Sequence, residues 1–385
     1  MHVAVVGGGI VGVASAYELA ARGADVTLLE RGSLGAGSTD RALGGIRAQF
    51  STRVNVELSV ASIEVWNEFE ARFGVDVDRR TTGYLFCTRE GDVADAFADQ
   101  VAMQGEYGVE SRLVDPADAA DLCPGLRPDE FVACTYCPTD SFADPHLALQ
   151  GYARAARAEG VEIRTNTPVS SLDPRESGVR VELADDADPL VADAAVNAAG
   201  AWAPRLAETA GYDLPIVAHR RQTAVVEPES PVPETDPLVI DADTTAHFRP
   251  ERDGRALVGG HFAEADPVVD DPDRFSETPD TDWAVSALER AGRVADYFGP
   301  ESRLAGGWAG LYAVTPDHHA IVEESLPGVV TAAGFSGHGF QHAPATAACV
   351  AELVLDGAAS TVDVSGLTRE RFEGDGGGPV ERNVA

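Results

Sequence analysis

The sequence Met1-His2-Val3-Ala4-Val5-Val6-Gly7-Gly8-Gly9-Ile10-Val11-Gly12 joins a short apolar run to the pattern G-x-G-x-x-G. A helical segment follows, and then a second apolar run, Val26-Thr27-Leu28-Leu29. This order predicts a β-α-β unit, in which Gly7 permits a tight turn and Gly12 lets the helix pack close to the strand. Gly9 lets the backbone approach a pyrophosphate, whose charge the N–H groups at the helix N-terminus would bind. We therefore predict a dinucleotide-binding unit.

An acidic residue completes this unit. Glu30 follows the second apolar run, at roughly the 20-residue distance from the last glycine that a ribose-binding carboxylate requires. A carboxylate at this place disfavours a ribose 2′-phosphate, and hence NADP. A glycine-rich turn without a ligand is the alternative, and it would not explain why strand, loop, helix, strand and acid occur in register. From the residues alone, FAD and NAD both remain open.

Length and composition predict a globular protein with room for two domains. The chain has 385 residues, of which 44% are hydrophobic, enough for two domains with a sizeable core. No apolar run approaches the roughly 18 residues of a membrane span. Because the first strand begins at once, no signal peptide is expected, and the predicted location is cytoplasmic.

The charge is strongly negative. Against 63 acidic residues stand 29 basic ones, giving a net charge of −34, and every basic residue is an arginine. The acids are spread along the chain, so they indicate a solvated acidic surface that salt would screen. We interpret this composition as halophilic, because an ordinary acidic enzyme would not readily lack lysine. Nucleic acid is not an expected partner, since nothing in this composition neutralises phosphates.

No metal site is predicted. Cys134 and Cys137 form one C-x-x-C, but a zinc ribbon needs a second such pair. Buried thiols are the favoured interpretation of these cysteines, with a redox pair as the alternative. The neighbours His318 and His319 are expected to form an exposed pair, because the further ligands of a metal site are absent.

The elements alternate in a way that predicts an α/β fold, α+β overall. Apolar residues recur at helical spacing over residues 54–73, and further helices are expected at 91–108, 146–158 and 343–355. We predict a discontinuous Rossmann-like domain formed by residues 1–80, 142–212 and 302–370. A substrate domain on a mixed or antiparallel sheet would comprise residues 81–141 and 213–301. Residues 371–385 are expected to form a flexible tail.

Five further segments follow the glycine loop in an order that resembles a known family. The chain is similar to the D-amino-acid oxidase and sarcosine oxidase superfamily of FAD enzymes, most of all to the β subunits of sarcosine oxidase and of archaeal proline dehydrogenase. The segments are Gly44-Gly45-Ile46-Arg47-Ala48-Gln49-Phe50, Asn197-Ala198-Ala199-Gly200-Ala201-Trp202, Gly307-Trp308-Ala309-Gly310-Leu311-Tyr312, Thr315-Pro316-Asp317 and Gly334-Phe335-Ser336-Gly337-His338-Gly339-Phe340.

The resemblance implies FAD rather than NAD, and oxidation of the C–N bond of an amino acid or N-methyl amino acid. Relatives that bind flavin covalently use a histidine after the glycine loop or a cysteine near Gly310. Here these places read Ser38-Thr39-Asp40-Arg41 and Ala309-Gly310-Leu311, so noncovalent FAD is predicted. The predicted FAD-binding residues are Gly7, Gly9, Ile10, Val11, Gly12, Glu30, Arg31, Ser38, Thr39, Gly44, Gly45, Ile46, Val169, Ala199, Gly200, Trp202, Gly310, Gly337, His338, Gly339, Phe340 and Gln341.

Arg47 is the predicted substrate residue. A related arginine binds the substrate carboxylate in the monomeric sarcosine oxidases, and a guanidinium matches a carboxylate with two parallel hydrogen bonds. A structural arginine paired with an acid is the alternative. Gln341 departs from the family, since those enzymes have a lysine there that helps to bind the carboxylate.

Two histidines are further candidates for the active site. His338 lies in the loop expected against the flavin, where it would orient substrate or move a proton, unless backbone hydrogen bonds merely fix its ring. His261 is a candidate for the pocket wall, with a core or surface position as the alternative. Trp308 and Tyr312 are candidates for the wall beside the flavin, although core packing is the usual role of aromatic residues.

The expected reaction is hydride transfer from the substrate carbon that bears nitrogen to flavin N5, from a neutral amine. A dehydrogenase is favoured over an oxidase, because the lysine that activates oxygen in the monomeric sarcosine oxidases is absent and Leu257 stands near its place. Arg255 or His261 could substitute for it. Electrons would pass to a quinone or a partner flavoprotein. The alternatives are a 2-hydroxy-acid or glycerol-3-phosphate dehydrogenase, and a noncatalytic FAD subunit of a larger complex.

Overall fold

The computed structural model describes residues 1–184, 188–262, 267–373 and 378–384. Within them the helices are α1 (Ile10–Ala21), α2 (Arg53–Asn67), α3 (Phe69–Phe73), α4 (Gly91–Glu106), α5 (Pro116–Leu122), α6 (Pro145–Ala158), α7 (Ala203–Ala210), α8 (Thr281–Val294) and α9 (Gly339–Asp356). The strands are β1 (His2–Val6), β2 (Asp25–Leu29), β3 (Gly45–Ile46), β4 (Tyr84–Thr88), β5 (Arg112–Val114), β6 (Ala133–Cys137), β7 (Ser141–Phe142), β8 (Glu162–Arg164), β9 (Val169–Arg175), β10 (Gly178–Leu183), β11 (Leu190–Ala192), β12 (Ala194–Asn197), β13 (Val217–Glu227), β14 (Leu238–Asp241), β15 (His247–Pro250), β16 (Ala256–Gly259), β17 (Arg303–Val314), β18 (Ile321–Leu326) and β19 (Val329–Ala333).

The predicted β-α-β unit forms the centre of one sheet. Its order is β18-β19-β12-β1-β2-β8, and all neighbours are parallel except the edge strand β18. Residues alternate along β1 between two cores. Val3 and Val5 face a core formed with α1, α6 and α9, whereas Ala4 and Val6 face the small sheet β9-β10-β11 and α7. Burial on both faces explains why these strands are continuous apolar runs.

The sequence explains where α6, one of the helices that cover this sheet, begins. α6 starts at Pro145 because Asp144 accepts hydrogen bonds from the backbone N–H groups of His146 and Leu147, and proline fits the first helical position. The described helices include none with both the length and the apolar character needed to cross a bilayer.

A second, larger sheet carries the other core. Its order is β17-β13-β16-β15-β14-β4-β6-β5, antiparallel except for the parallel pair β14 and β4. Apolar residues of this sheet pack against α8 and α5. A parallel sheet between helices together with a mixed sheet confirms the predicted fold class. The sequence prediction places residues 303–314 in the Rossmann-like domain. In the structure they form β17, which pairs along its length with β13 of this second sheet.

Three local predictions differ from the structure. The single helix expected at 54–73 divides into α2 and α3 at Glu68. The helix expected to begin at residue 343 begins at Gly339 instead. Its first turn precedes Pro344, a residue rarely found inside helices, so the sequence does not indicate that turn. The tail expected to be flexible is packed over residues 378–384, where the side chain of Glu381 is fully buried. Residues 374–377 and 385 of that tail lie outside the described residues.

The acidic composition predicts stability that depends on salt. Exposed ion pairs, such as Arg205 with Asp271 and Asp273, neutralise part of the charge, yet 63 acids exceed 29 arginines. Self-repulsion should therefore destabilise the fold as ionic strength falls. We expect the midpoint of thermal unfolding to rise from low to molar salt. A midpoint that is the same at both ends of this range would contradict the halophilic interpretation.

Candidate active site

A cavity of about 630 Å³ opens at the carboxyl ends of the parallel strands. Val6 ends β1, Leu29 ends β2, and Ala198 and Gly334 follow β12 and β19; all four line it. Ligands of open α/β sheets bind at this edge, and the volume lies within the roughly 300–1,000 Å³ usual for ligand pockets. Leu238, Ile240 and His247 of the second sheet line the same cavity, so both sheets contribute to it.

The glycine loop has the geometry that a bound pyrophosphate requires. Gly7 has a φ of +115°, and a Cβ there would lie 2.3 Å from the carbonyl oxygen of Ala198. A Cβ on Gly12 would lie 2.0 Å from the carbonyl oxygen of Gly7, so only glycine lets α1 approach β1 this closely. The N–H of Ile10, at the start of α1, donates to Thr39 Oγ1 at 3.0 Å.

Glu30 is held at the cavity edge by backbone donors. Its Oε2 accepts from the N–H of Gly8 and its Oε1 from the N–H of Gly32, both at 2.7 Å. A carboxylate oxygen has more than one acceptor site, so both oxygens can still accept from ribose hydroxyls. The Arg31 guanidinium lies 3.9 Å from the centre of the Trp202 ring, and both residues line the cavity. Loop and carboxylate together fit the adenosine and pyrophosphate parts of FAD.

His338 lines the cavity and carries a buried polar atom without a described partner. It precedes α9, its ring is buried against Phe50, and its Nε2 has no hydrogen-bond partner among the described residues. Burial lowers the pKa of His338 well below its ordinary value, with a further contribution from the charge of Arg47. Burial thus favours the uncharged imidazole, and Nε2 is a buried polar atom that no described residue satisfies.

Arg47 lies on the cavity wall without an acidic partner. It is 4% exposed, and no described carboxylate lies within ion-pair distance of its guanidinium. Instead, its terminal nitrogens donate to the backbone carbonyls of Gln49 and Asn383. The guanidinium also lies 4.0 Å from the centre of the Phe50 ring. The alternative of an arginine paired with an acid is therefore not what the structure shows.

Gln341 orients the Arg47 backbone. Its Oε1 accepts from the N–H of Arg47 at 2.8 Å. Gln341 itself lies in the first turn of α9 and lines the cavity. Burial is the main cause that lowers the pKa of the Arg47 guanidinium. An anion that entered the cavity would compensate this burial, because it would supply the missing counter-charge.

The predicted FAD-binding residues mostly line this cavity, with three exceptions. Gly12 and Ile46 lie behind it, where Gly12 packs against the glycine loop and the Ile46 side chain is buried in the core of the first sheet. Gly310 instead lines a second, smaller cavity of about 30 Å³, where a Cβ would lie 2.6 Å from the Cβ of Arg41.

His261 also lines the second cavity rather than the main one. Its ring meets the Tyr312 ring edge to face at 5.4 Å, and burial lowers its pKa well below the ordinary value. His247 and Tyr312 line both cavities. Tyr84 and His247 on the main cavity were not found from sequence, because both lie on strands of the second sheet whose apolar pattern indicates only burial.

Comparisons with known proteins agree with this geometry. Residues 2–353 match the DAO family, described as FAD dependent oxidoreductase. Dimethylglycine dehydrogenase of Rattus norvegicus is 31% identical over 65% of this chain and 30% of the relative. Sarcosine dehydrogenase of Homo sapiens is 29% identical over 88% of this chain and 38% of the relative, so the chain spans about a third of these mitochondrial enzymes.

Among solved structures, L-proline dehydrogenase from P. horikoshii superimposes with a TM-score of 0.87 at 29% identity, covering 97% of both chains. The glycine loop, the carboxylate at position 30 and the residues before α9 line one and the same cavity. The chain belongs to the DAO family of FAD-dependent oxidoreductases, and FAD is its cofactor.

Proposed function

We propose that the protein oxidises the C–N bond of an amino acid or N-methyl amino acid. One observation carries this proposal: Arg47, buried and without an acidic partner in the part of the chain that the structure describes, lies on the wall of the cavity that the glycine loop also lines. A guanidinium in such a place binds a carboxylate with two parallel hydrogen bonds. The similarity to proteins named for proline, sarcosine and dimethylglycine supports a substrate that carries both a carboxylate and an amine.

The chain's own residues would bind and orient the substrate. Arg47 would fix the carboxylate, and Tyr84, Leu238 and Ile240 of the second sheet would surround the rest of the molecule. His338 would orient the substrate from the cavity wall, while its lowered pKa makes it a weak base. When bound, FAD supplies the acceptor for the hydride that leaves the carbon beside nitrogen.

Anaerobic reduction tests this function directly. The flavin absorbance is followed in high salt against a panel of amino acids, N-methyl amino acids, 2-hydroxy acids and glycerol 3-phosphate. Bleaching by members of the first two groups is expected. Bleaching by hydroxy compounds alone would favour the alternative dehydrogenases, and no bleaching by any member would favour an electron-transfer subunit.

The surroundings of Arg47 do not favour a phosphorylated substrate. The two arginines near it in sequence, Arg41 and Arg53, pair with Glu277 and Glu106. A phosphate with nearly two negative charges would call for several cations around it. Arg53 is moreover exposed, and Arg41 lines the smaller cavity.

We expect an enzyme that reacts slowly with oxygen. Leu257 lies buried on β16, and Arg255 pairs with Glu227 at the surface. Burial lowers the pKa of His261, which disfavours its charged form. None of these three places supplies the positive charge that would stabilise superoxide beside the flavin. The measurement is reoxidation of substrate-reduced enzyme in air-saturated buffer, compared with reoxidation by an acceptor dye. Reoxidation by oxygen that keeps pace with turnover and yields stoichiometric peroxide would show an oxidase.

We expect FAD to be held noncovalently. The five cysteines are buried in the described structure, and none of them lines the main cavity. The loop at residues 38–41 likewise offers no histidine for a covalent bond. Acid precipitation should give a colourless pellet and a yellow supernatant. A pellet that stays yellow after washing would disprove this prediction.

A further inference from the structure

The segment of residues 378–384, called here the 378–384 segment, is tied to the family motif Thr315-Pro316-Asp317. The N–H of Glu381 donates to the carbonyl of Asp317 at 3.0 Å. The rings of His318 and His319 donate to the carbonyls of Glu381 and Pro379, at 3.0 and 2.9 Å. His319 is therefore buried, not exposed as its sequence context predicted. These bonds explain why this part of the chain is packed despite its lack of periodicity.

The Glu381 carboxylate anchors the segment at the N-terminus of α2. It is 0% exposed. It accepts hydrogen bonds from the N–H groups of Ser51 and Thr52, from both hydroxyls at 2.6 Å, and from the Asn55 amide at 3.1 Å. A helix N-terminus also favours a negative charge. Burial alone would raise the pKa of Glu381, but the hydrogen bonds from Ser51 and Thr52 keep it below the ordinary value, so the group is ionised.

Asn383 connects this anchor to Arg47. Its N–H donates to Glu381 at 3.0 Å, and its side-chain amide donates to the carbonyl of Gln49 and to Gln100. Its own carbonyl accepts a hydrogen bond from the Arg47 guanidinium. Glu381, Asn383 and Gln49 thus form one hydrogen-bonded unit around the guanidinium.

The 378–384 segment contacts Arg47 without lining the main cavity. Arg47 lines the main cavity, whereas none of the described residues of the segment does. A guanidinium has five N–H donors, and the carbonyls of Gln49 and Asn383 use two of them. The described residues of the segment accept from only one of these donors and do not line the cavity, so the segment does not block the site. Glu381 also supplies negative charge near a buried cation that has no ion-pair partner in the described ranges.

We propose that Glu381 is a positioning residue for Arg47, acting through Asn383 to set the affinity of the cavity for a carboxylate group. The proposal rests on the proposed function for its kinetic test. A positioned guanidinium needs no rearrangement on binding, so less freedom is lost when the carboxylate arrives. A merely structural anchor would change stability without a preference for carboxylate ligands.

The kinetic test compares Glu381→Gln with Arg382→Gln. Glutamine preserves the shape of Glu381 but loses its charge and presents an amide nitrogen to groups that are themselves donors. Arg382 lies in the same segment with an exposed side chain, which makes it the matched control. For Glu381→Gln we expect the KM of an amino acid to rise by about three- to tenfold, the size expected for weakening one hydrogen bond. The KM of the corresponding amine without carboxylate should stay unchanged. Equal changes for both substrates would overturn the proposal.

A second test measures ligand binding and does not depend on turnover. Acetate is titrated into the oxidised holoenzyme in high salt, and the change in flavin absorbance gives its Kd. Acetate should bind the wild type and Arg382→Gln equally and bind Glu381→Gln more weakly. Amide exchange at Ser51 and Thr52 shows whether the anchor was released in that variant. If the anchor is released in Glu381→Gln but acetate binds as tightly as before, the proposal is overturned. It is also overturned if the wild type does not bind acetate. If acetate behaves as expected but no amino acid bleaches the flavin, the proposed function alone fails.

Discussion

We expect the Gly12→Ala variant to lose FAD, although alanine is the better residue for a helix. Gly12 lies in the first turn of α1, where helix propensity alone would make alanine more stable by about 0.5–1 kcal/mol. The added Cβ would lie 2.0 Å from the carbonyl oxygen of Gly7. That atom belongs to the rigid backbone of the glycine loop, so α1 must move away from β1. The steric contact with Gly7, and not the helix propensity of alanine, therefore decides whether the substitution stabilises or destabilises the protein.

The measurement is the ratio of flavin to protein absorbance after purification in high salt, together with the midpoint of thermal unfolding. Gly105→Ala is the matched control, because Gly105 lies in α4 and a Cβ there meets nothing within 4 Å. This control should keep its FAD and be as stable as the wild type or slightly more so. A Gly12→Ala protein that retains stoichiometric FAD would show that α1 can shift without loss of the cofactor site.

The dinucleotide-binding unit could be predicted because its determinants are local. Glycines at fixed spacing, two buried apolar runs and an acid after the second all lie within residues 1–30. Each reflects a backbone requirement that acts within one strand–helix–strand unit. The family resemblance likewise indicates the loop before α9, although the predicted helix start at residue 343 is too late.

The residues that complete the cavity could not be predicted in this way. Tyr84 and His247 come from different strands of the second sheet, and only the pairing of β4 with β14 and of β14 with β15 brings them to the FAD-binding loop. His261, a sequence candidate for the pocket wall, illustrates the same difficulty. It lies near these strands in sequence, yet it faces the smaller cavity. Side-chain direction at a domain junction depends on register, which a single sequence does not specify.

The packed 378–384 segment illustrates a third limit. Its polar and glycine-rich sequence has neither helical nor strand periodicity, which is why flexibility was expected. What orders it is a buried carboxylate that meets hydroxyl and amide donors more than 300 residues away in the chain. Such a contact satisfies buried polar groups and leaves no local pattern.

We expect Arg47→Leu to lose affinity for amino acids and to keep it for amines. Removing a charge-assisted hydrogen bond costs about 1.5–3 kcal/mol, which corresponds to a rise in KM of roughly ten- to a hundredfold. An amine without a carboxylate makes no such bond, so its KM should change little. Leucine also removes the stacking on Phe50, and retention of FAD is therefore checked in the same preparation.

Arg53→Leu is the control for the loss of an arginine in this region. Arg53 begins α2, and its exposed side chain pairs with Glu106. This variant should keep the KM of the wild type for both kinds of substrate, because its side chain points to solvent. An equal loss in Arg47→Leu for amino acid and amine would mean that Arg47 supports the fold or the flavin. A loss confined to the carboxylate substrate would instead identify the buried guanidinium as the group that selects amino acids. The two other arginines that line the cavity, Arg31 and Arg205, already pair with Asp273.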